Sequence, residues 1–69
     1  MTSATIQISL AAARVNANFT QQEVAEKLHV SKNTIVNWES GKVIPSFIVL
    51  NALSDLYRIP IDNIFLPTD

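Results

Sequence analysis

The stretch from Thr20 to Gly41, TQQEVAEKLHVSKNTIVNWESG, restricts the fold more than any other part of the chain. Val24, Ala25 and Leu28 fall at helical spacing among Gln21, Gln22, Glu23, Glu26 and Lys27, the pattern of an amphipathic helix. Thr20 followed three residues later by Glu23 is a capping box that starts it. Ser31 caps a second helix whose apolar stripe is Ile35 and Trp38, and Gly41 ends it. Only His29 and Val30 separate the two stripes, too little chain to lay the helices antiparallel, so they must cross sharply. Ala25 is the small residue that lets them touch.

Two helices crossing in this way form a helix-turn-helix, whose second helix commonly lies in the major groove of DNA. The other segments supply what holds the pair. Met1 to Gln7 and Ile8 read as an arm or a short extended segment over residues 1–8. Ser9 caps a first helix, Leu10 to about Asn16, with Asn16 and Asn18 flanking its stop, since asparagine tolerates left-handed backbone. Phe19 is expected in the core. After Gly41, Pro45 breaks the pattern and Ser46 caps a fourth helix from about Phe47 to Tyr57, with Leu50, Leu53 and Tyr57 inward. A fifth short helix, Ile61 to about Phe65, is expected to close the bundle with Ile64 inward. The expected fold is thus all-α, a compact five-helix bundle in one domain, residues 1–69, with the helix-turn-helix at residues 20–41.

Sixty-nine residues with 48% hydrophobic and 16% charged content are enough for one small globular unit and too apolar for a disordered one. The absence of cysteine removes disulfide and thiolate chemistry, and a single histidine gives a metal site almost no support. No Ser/His/carboxylate set has a motif around it, so no catalysis and no cofactor is expected. No apolar run approaches the ~20 residues of a membrane span, and the N-terminus lacks a signal peptide's basic start. The cytoplasm of a bacterial host, or its nucleoid, is the expected compartment. Net charge −1 argues mildly against nucleic acid. Position tempers this, because Asp55, Asp62 and Asp69 lie away from the helix pair, and Lys27, Lys32 and Lys42 balance Glu23, Glu26 and Glu39 within it.

From Leu10 to Phe65 the chain resembles the phage-repressor family of helix-turn-helix proteins, the Cro and lambda-repressor (XRE) type. The resemblance is carried by Arg14, Thr20-Gln21, Glu23-Val24-Ala25, Val30-Ser31, Ile35, Trp38-Glu39, Gly41, Pro45, Leu50 and Leu53. Matches at so many fixed offsets are far more specific than helical periodicity alone. The chain departs from the pattern at His29 and Arg58, where the family usually has glycine. Each substitution is expected to lower stability slightly, or to reshape the turn locally.

The resemblance implies roles by position. Lys32, Asn33, Thr34 and Asn37, on the side of the second helix opposite Ile35 and Trp38 with Val36 at the edge, become the base-contacting candidates. An asparagine amide matches adenine N6 and N7, lysine reaches guanine or a phosphate, and threonine meets a thymine methyl or a phosphate. The alternative is a solvated polar face. Gln21, Gly41, Lys42 and Ser46 are the phosphate-contact candidates, with Asn18 and Asn16 weaker. Gln21 sits at a helix start whose free N–H groups favour an anion, and it is otherwise a plain first-turn residue. Arg14 and Glu39 form, in the family, a partly buried structural ion pair. Phe47, Ile48, Phe65 and Leu66 are the apolar residues least needed for the core and the candidate dimer surface, though small domains always expose some apolar groups.

The expected function is sequence-specific binding of double-stranded DNA by a Cro-like repressor, as a homodimer on an inverted-repeat operator with half-sites one helical turn apart. About three cationic contacts per subunit would give a log–log salt slope of roughly −5. The rival readings are an antitoxin or similar module acting on a protein partner through its acidic C-terminal part and the Phe47/Phe65 set, and the DNA-binding domain of a longer immunity repressor.

Overall fold

The computed structural model describes residues 7–66. Its elements are β1 (Ile8–Ser9), α1 (Leu10–Asn16), α2 (Gln21–Leu28), α3 (Lys32–Ser40), α4 (Phe47–Tyr57), a 3-10 turn (Ile61–Asn63) and β2 (Ile64–Phe65). All four helices begin on the hydroxyl residue expected of them. Ser9, Thr20, Ser31 and Ser46 each accept, through the side-chain oxygen, the N–H three residues on. Glu23 returns the bond to the Thr20 N–H at 2.8 Å, completing the capping box.

Three of the four helix stops share one geometry. Asn18, His29 and Arg58 have φ of 65°, 59° and 58°. The residue after each gives its N–H to the carbonyl five positions back: Phe19 to Arg14, Val30 to Ala25 and Ile59 to Ser54. These are Schellman stops, and they fold an apolar residue inward. Phe19, Val30 and Ile59 all pack against the core. His29 and Arg58 therefore adopt the left-handed backbone that a glycine would take more easily, and neither turn is reshaped.

The core is Leu10, Ala13, Val24, Ala25, Ile35, Trp38, Leu53 and Tyr57, drawn from all four helices. Ala25 is fully buried, consistent with its place at the crossing of α2 and α3, the pair in most extensive contact. No described helix is long and apolar enough to cross a membrane.

The expected fifth helix is absent: the described residues hold four α-helices and a small sheet. Ile61–Asn63 makes one 3-10 turn, and Ile64–Phe65 runs parallel to Ile8–Ser9 in the register Ile8↔Ile64, Ser9↔Phe65. A helix of that length carries the full nucleation penalty for very few bonds, and Pro60 provides no side-chain cap. The β-branched and aromatic side chains at 64 and 65 favour extended backbone, and β1 offers it a ladder. Of the arm expected over residues 1–8, Ile8 belongs to this sheet, and residues 1–6 lie outside the described ones.

Candidate nucleic-acid interface

The α3 helix buries Ile35 and Trp38 and turns its other side to solvent. Lys32 and Asn33 are exposed there, and Thr34, Val36 and Asn37 are half-buried. Asn33 and Asn37 stand one turn apart, and among the described residues neither side-chain amide is hydrogen-bonded to protein, so both keep a donor and an acceptor. Thr34 differs. Its hydroxyl lies 2.9 Å from the Ser31 hydroxyl, and its own N–H is held by the same oxygen at 3.1 Å. That arrangement occupies the hydroxyl locally and leaves the methyl group as its outward chemistry.

Glu39 fixes α3 to both helices before it. Arg14 donates Nε to Glu39 Oε2 at 2.7 Å and Nη2 to Oε1 at 3.3 Å, while its Nη1 donates to the Phe19 carbonyl at 2.8 Å. A guanidinium held on three acceptors is fixed in place, and both partners are largely shielded from water. Gln21 joins this pair, donating Nε2 to Glu39 Oε1 at 3.0 Å. The family pattern pointed to Arg14 and Glu39, but the third member was not foreseen. Gln21 lies 18 positions away, and nothing in its local sequence marks the contact. One of the two amide hydrogens of Gln21 is thus committed inside the protein, and the other is left for an anion.

The remaining phosphate candidates sit at helix ends. Asn18 is exposed in the left-handed stop of α1, Gly41 has φ 85°, Lys42 is exposed beside it, and Ser46 caps α4. Carboxylates near the pair are largely engaged: Glu39 by Arg14 and Gln21, Glu23 by the Thr20 N–H, and Glu26 by Gln22 at 3.1 Å. Among the described residues, Lys32 and Lys42 therefore bracket α3 without a carboxylate pairing either. Lys27 is directed elsewhere, its Nζ 5.6 Å above the Phe19 ring.

Burial raises the Tyr57 phenol to about 12, assisted by the Glu39 carboxylate and opposed by Arg14. The candidate dimer surface divides. Phe47, Ile48 and Phe65 are 69%, 81% and 49% exposed, whereas Leu66 packs against the core and is withdrawn from it. Val43 and Ile44 add two exposed apolar residues that the sequence did not single out.

A helix-turn-helix family model matches residues 10–64. The chain is 39% identical over 51 residues to the HTH-type transcriptional activator BcrR of Enterococcus faecalis, covering 74% of this chain and 25% of that protein. It is 36% identical over 52 residues to MJ0272, an uncharacterized HTH-type transcriptional regulator of Methanocaldococcus jannaschii, covering 75% and 79%. It is 40% identical over 50 residues to the HTH-type transcriptional regulator ImmR of Bacillus subtilis, covering 72% and 39%. The chain thus spans about a quarter of BcrR and two fifths of ImmR. With Arg14, Glu39 and the α2–α3 crossing as the family pattern requires, the chain belongs to the phage-repressor (XRE-type) helix-turn-helix family of DNA-binding regulators.

Proposed function

We propose that this protein binds double-stranded DNA sequence-specifically, with α3 in the major groove and Asn33 and Asn37 reading bases. The observation that carries this reading is the pair of unengaged amides one turn apart on the exposed side of a helix that Arg14, Gln21 and Glu39 hold in place. Bidentate recognition needs a donor and an acceptor presented rigidly together, and adenine is the base each amide fits. Lys32 contributes a base or phosphate contact, and Thr34 a methyl contact. Gln21, Lys42, the Gly41 backbone, Ser46 and Asn18 set the register on the phosphates.

One recognition helix covers about four or five base pairs. We therefore infer a homodimer on an inverted repeat, joined through exposed apolar residues that include Phe47, Ile48 and Phe65, and acting as a Cro-like phage or prophage repressor by occupying its operator. The coverage of BcrR and ImmR supports a second form of the same reading, the DNA-binding unit of a longer immunity regulator. A different function, capture of a protein partner, is favoured by the 81% exposure of Ile48 beside Phe47.

Selection from a random duplex library tests these readings together. An enriched inverted repeat that disappears for Asn33→Ala and Asn37→Ala supports the DNA reader. Failure of the folded protein to enrich any sequence at low salt would sink it and favour the partner surface.

A further inference from the structure

Six large apolar residues are exposed among the described ones, and four of them fall within six consecutive positions. These are Val43, Ile44, Phe47 and Ile48, at 46%, 54%, 69% and 81%. The other two, Val15 in α1 and Phe65 in β2, are single residues. The four stand on backbone that is tied to α3. Val43 donates its N–H to the Asn37 carbonyl at 3.2 Å, an oxygen that the Ser40 hydroxyl also bonds. Pro45 is buried, and Ser46 caps α4 by accepting the Val49 N–H at 3.3 Å. The linker is thus pinned at both ends, and whatever docks on it is held at a set distance from α3.

Two observations select the occupant. From Val43 to Ser54 the chain carries no charged side chain. The face therefore draws neither a basic nor an acidic partner, and two copies meet there without opposing like charges. The second observation is size. Even fully covered, these four side chains supply about 400 Å², roughly half of the ~800 Å² per partner in a standard interface. That is enough for an apolar patch to mark a binding site, and too little to hold a complex firmly alone. It suits a copy of the same chain whose pairing is completed by a second tether. One duplex engaged by both α3 helices is such a tether.

We infer that Val43, Ile44, Phe47 and Ile48 form a self-docking face that pairs weakly in free solution and fully on DNA, fixing the distance between two α3 helices. The inference rests on the homodimer reading above. It locates the dimer contact and makes it a ruler for the operator, since a docked pair fits half-sites at one spacing only. The contact is isologous, each copy offering the same four residues.

Sedimentation equilibrium of the protein alone tests the face, and binding to a selected inverted repeat tests the spacing. Wild-type mass is expected to rise from monomer toward dimer only at high concentration. Ile48→Asp is expected to weaken this by about tenfold or more, the loss of one central contact, and Val15→Asp to leave it unchanged. Ile48 lies outside the core and in the first turn of α4, where a carboxylate is favourable, so an unchanged melting temperature checks the fold. On DNA, one base pair inserted between the half-sites is expected to weaken wild-type binding about tenfold and to leave Ile48→Asp binding where it was. A mass that stays monomeric at every concentration, or self-association that survives Ile48→Asp, would overturn the inference while leaving the DNA reader intact. Wild-type indifference to the insertion, or equal losses in both proteins, would do the same. If the folded wild-type protein retains no duplex, the DNA reading and the spacing role fall, and sedimentation still decides the face.

Discussion

Arg14 and Glu39, 25 positions apart, meet through two N–H···O bonds of 2.7 and 3.3 Å and make the first helix a brace for the third. Removing the guanidinium strands a carboxylate whose one remaining hydrogen-bond partner among the described residues is Gln21. Arg14→Ala is expected to lower stability by about 3 kcal/mol, the scale for leaving one shielded charge alone, and to weaken DNA binding in parallel. Thermal melts run beside binding titrations check this. Binding lost at an unchanged melting temperature would mean that Arg14 touches DNA itself.

His29 and Arg58 hold left-handed backbone at φ of 59° and 58° without being glycine. Relief of the Cβ–carbonyl contact is worth about 1–2 kcal/mol per residue, partly offset by the greater freedom of glycine in the unfolded chain. His29→Gly and Arg58→Gly should each stabilise the fold by about 0.5–1 kcal/mol. The two stops share no bonding partner, one closing on Ala25 and Glu26 and the other on Ser54 and Asp55, so the gains should add. Denaturant midpoints for the single and double variants measure this, and a loss of stability in either would contradict it.

The single tyrosine provides a pH test. Tyr57 is held at about 12 in the folded protein by burial and by the Glu39 carboxylate, against about 10 in the unfolded chain. Because the folded value is raised, the stabilisation is fully present below pH 10 and is lost as pH climbs toward 12. Absorbance at the phenolate band should stay flat until that window and then rise together with unfolding. Titration near pH 10 in a protein still folded would contradict the buried phenol.

The salt dependence should be shallower than the chain's lysine count suggests. Lys27 lies over Phe19, which leaves Lys32 and Lys42 as the exposed cations bracketing α3. Two per subunit, or about four in a dimer, gives a log–log slope of roughly −3.6, rather than the −5 obtained from three. Lys42→Ala should flatten it by about two, one for each subunit.

What the sequence made legible was mostly local. Ser9, Thr20, Ser31 and Ser46 each bond within three residues, and that chemistry depends on little else. The burial of Ile35 and Trp38, and so the exposed side of α3, followed from the 3.6 period. Legibility failed where a residue's partner lies far along the chain. Ile64 and Phe65 form a strand because Ile8 and Ser9 are beside them, which a window around residue 61 cannot reveal. Gln21 bonds Glu39 for the same reason. The Val43 bond to Asn37 is short in sequence yet equally illegible, because the one-residue delay after Gly41 follows no capping rule.

The pairing of Ile8 with Ile64 has an architectural consequence. Adjacent strands lie about 4.8 Å apart, so the chain enters at Ile8 and leaves at Phe65 within one strand pair, heading in opposite directions because the pair is parallel. Closing the unit head to tail therefore takes a bridge that turns the chain back once, and it stretches no helix. A compensating cut would have to avoid the linker between α3 and α4, which holds Gly41, Lys42 and Ser46. What the strand pair makes of this domain is a closed circuit of chain whose entry and exit are tied to each other.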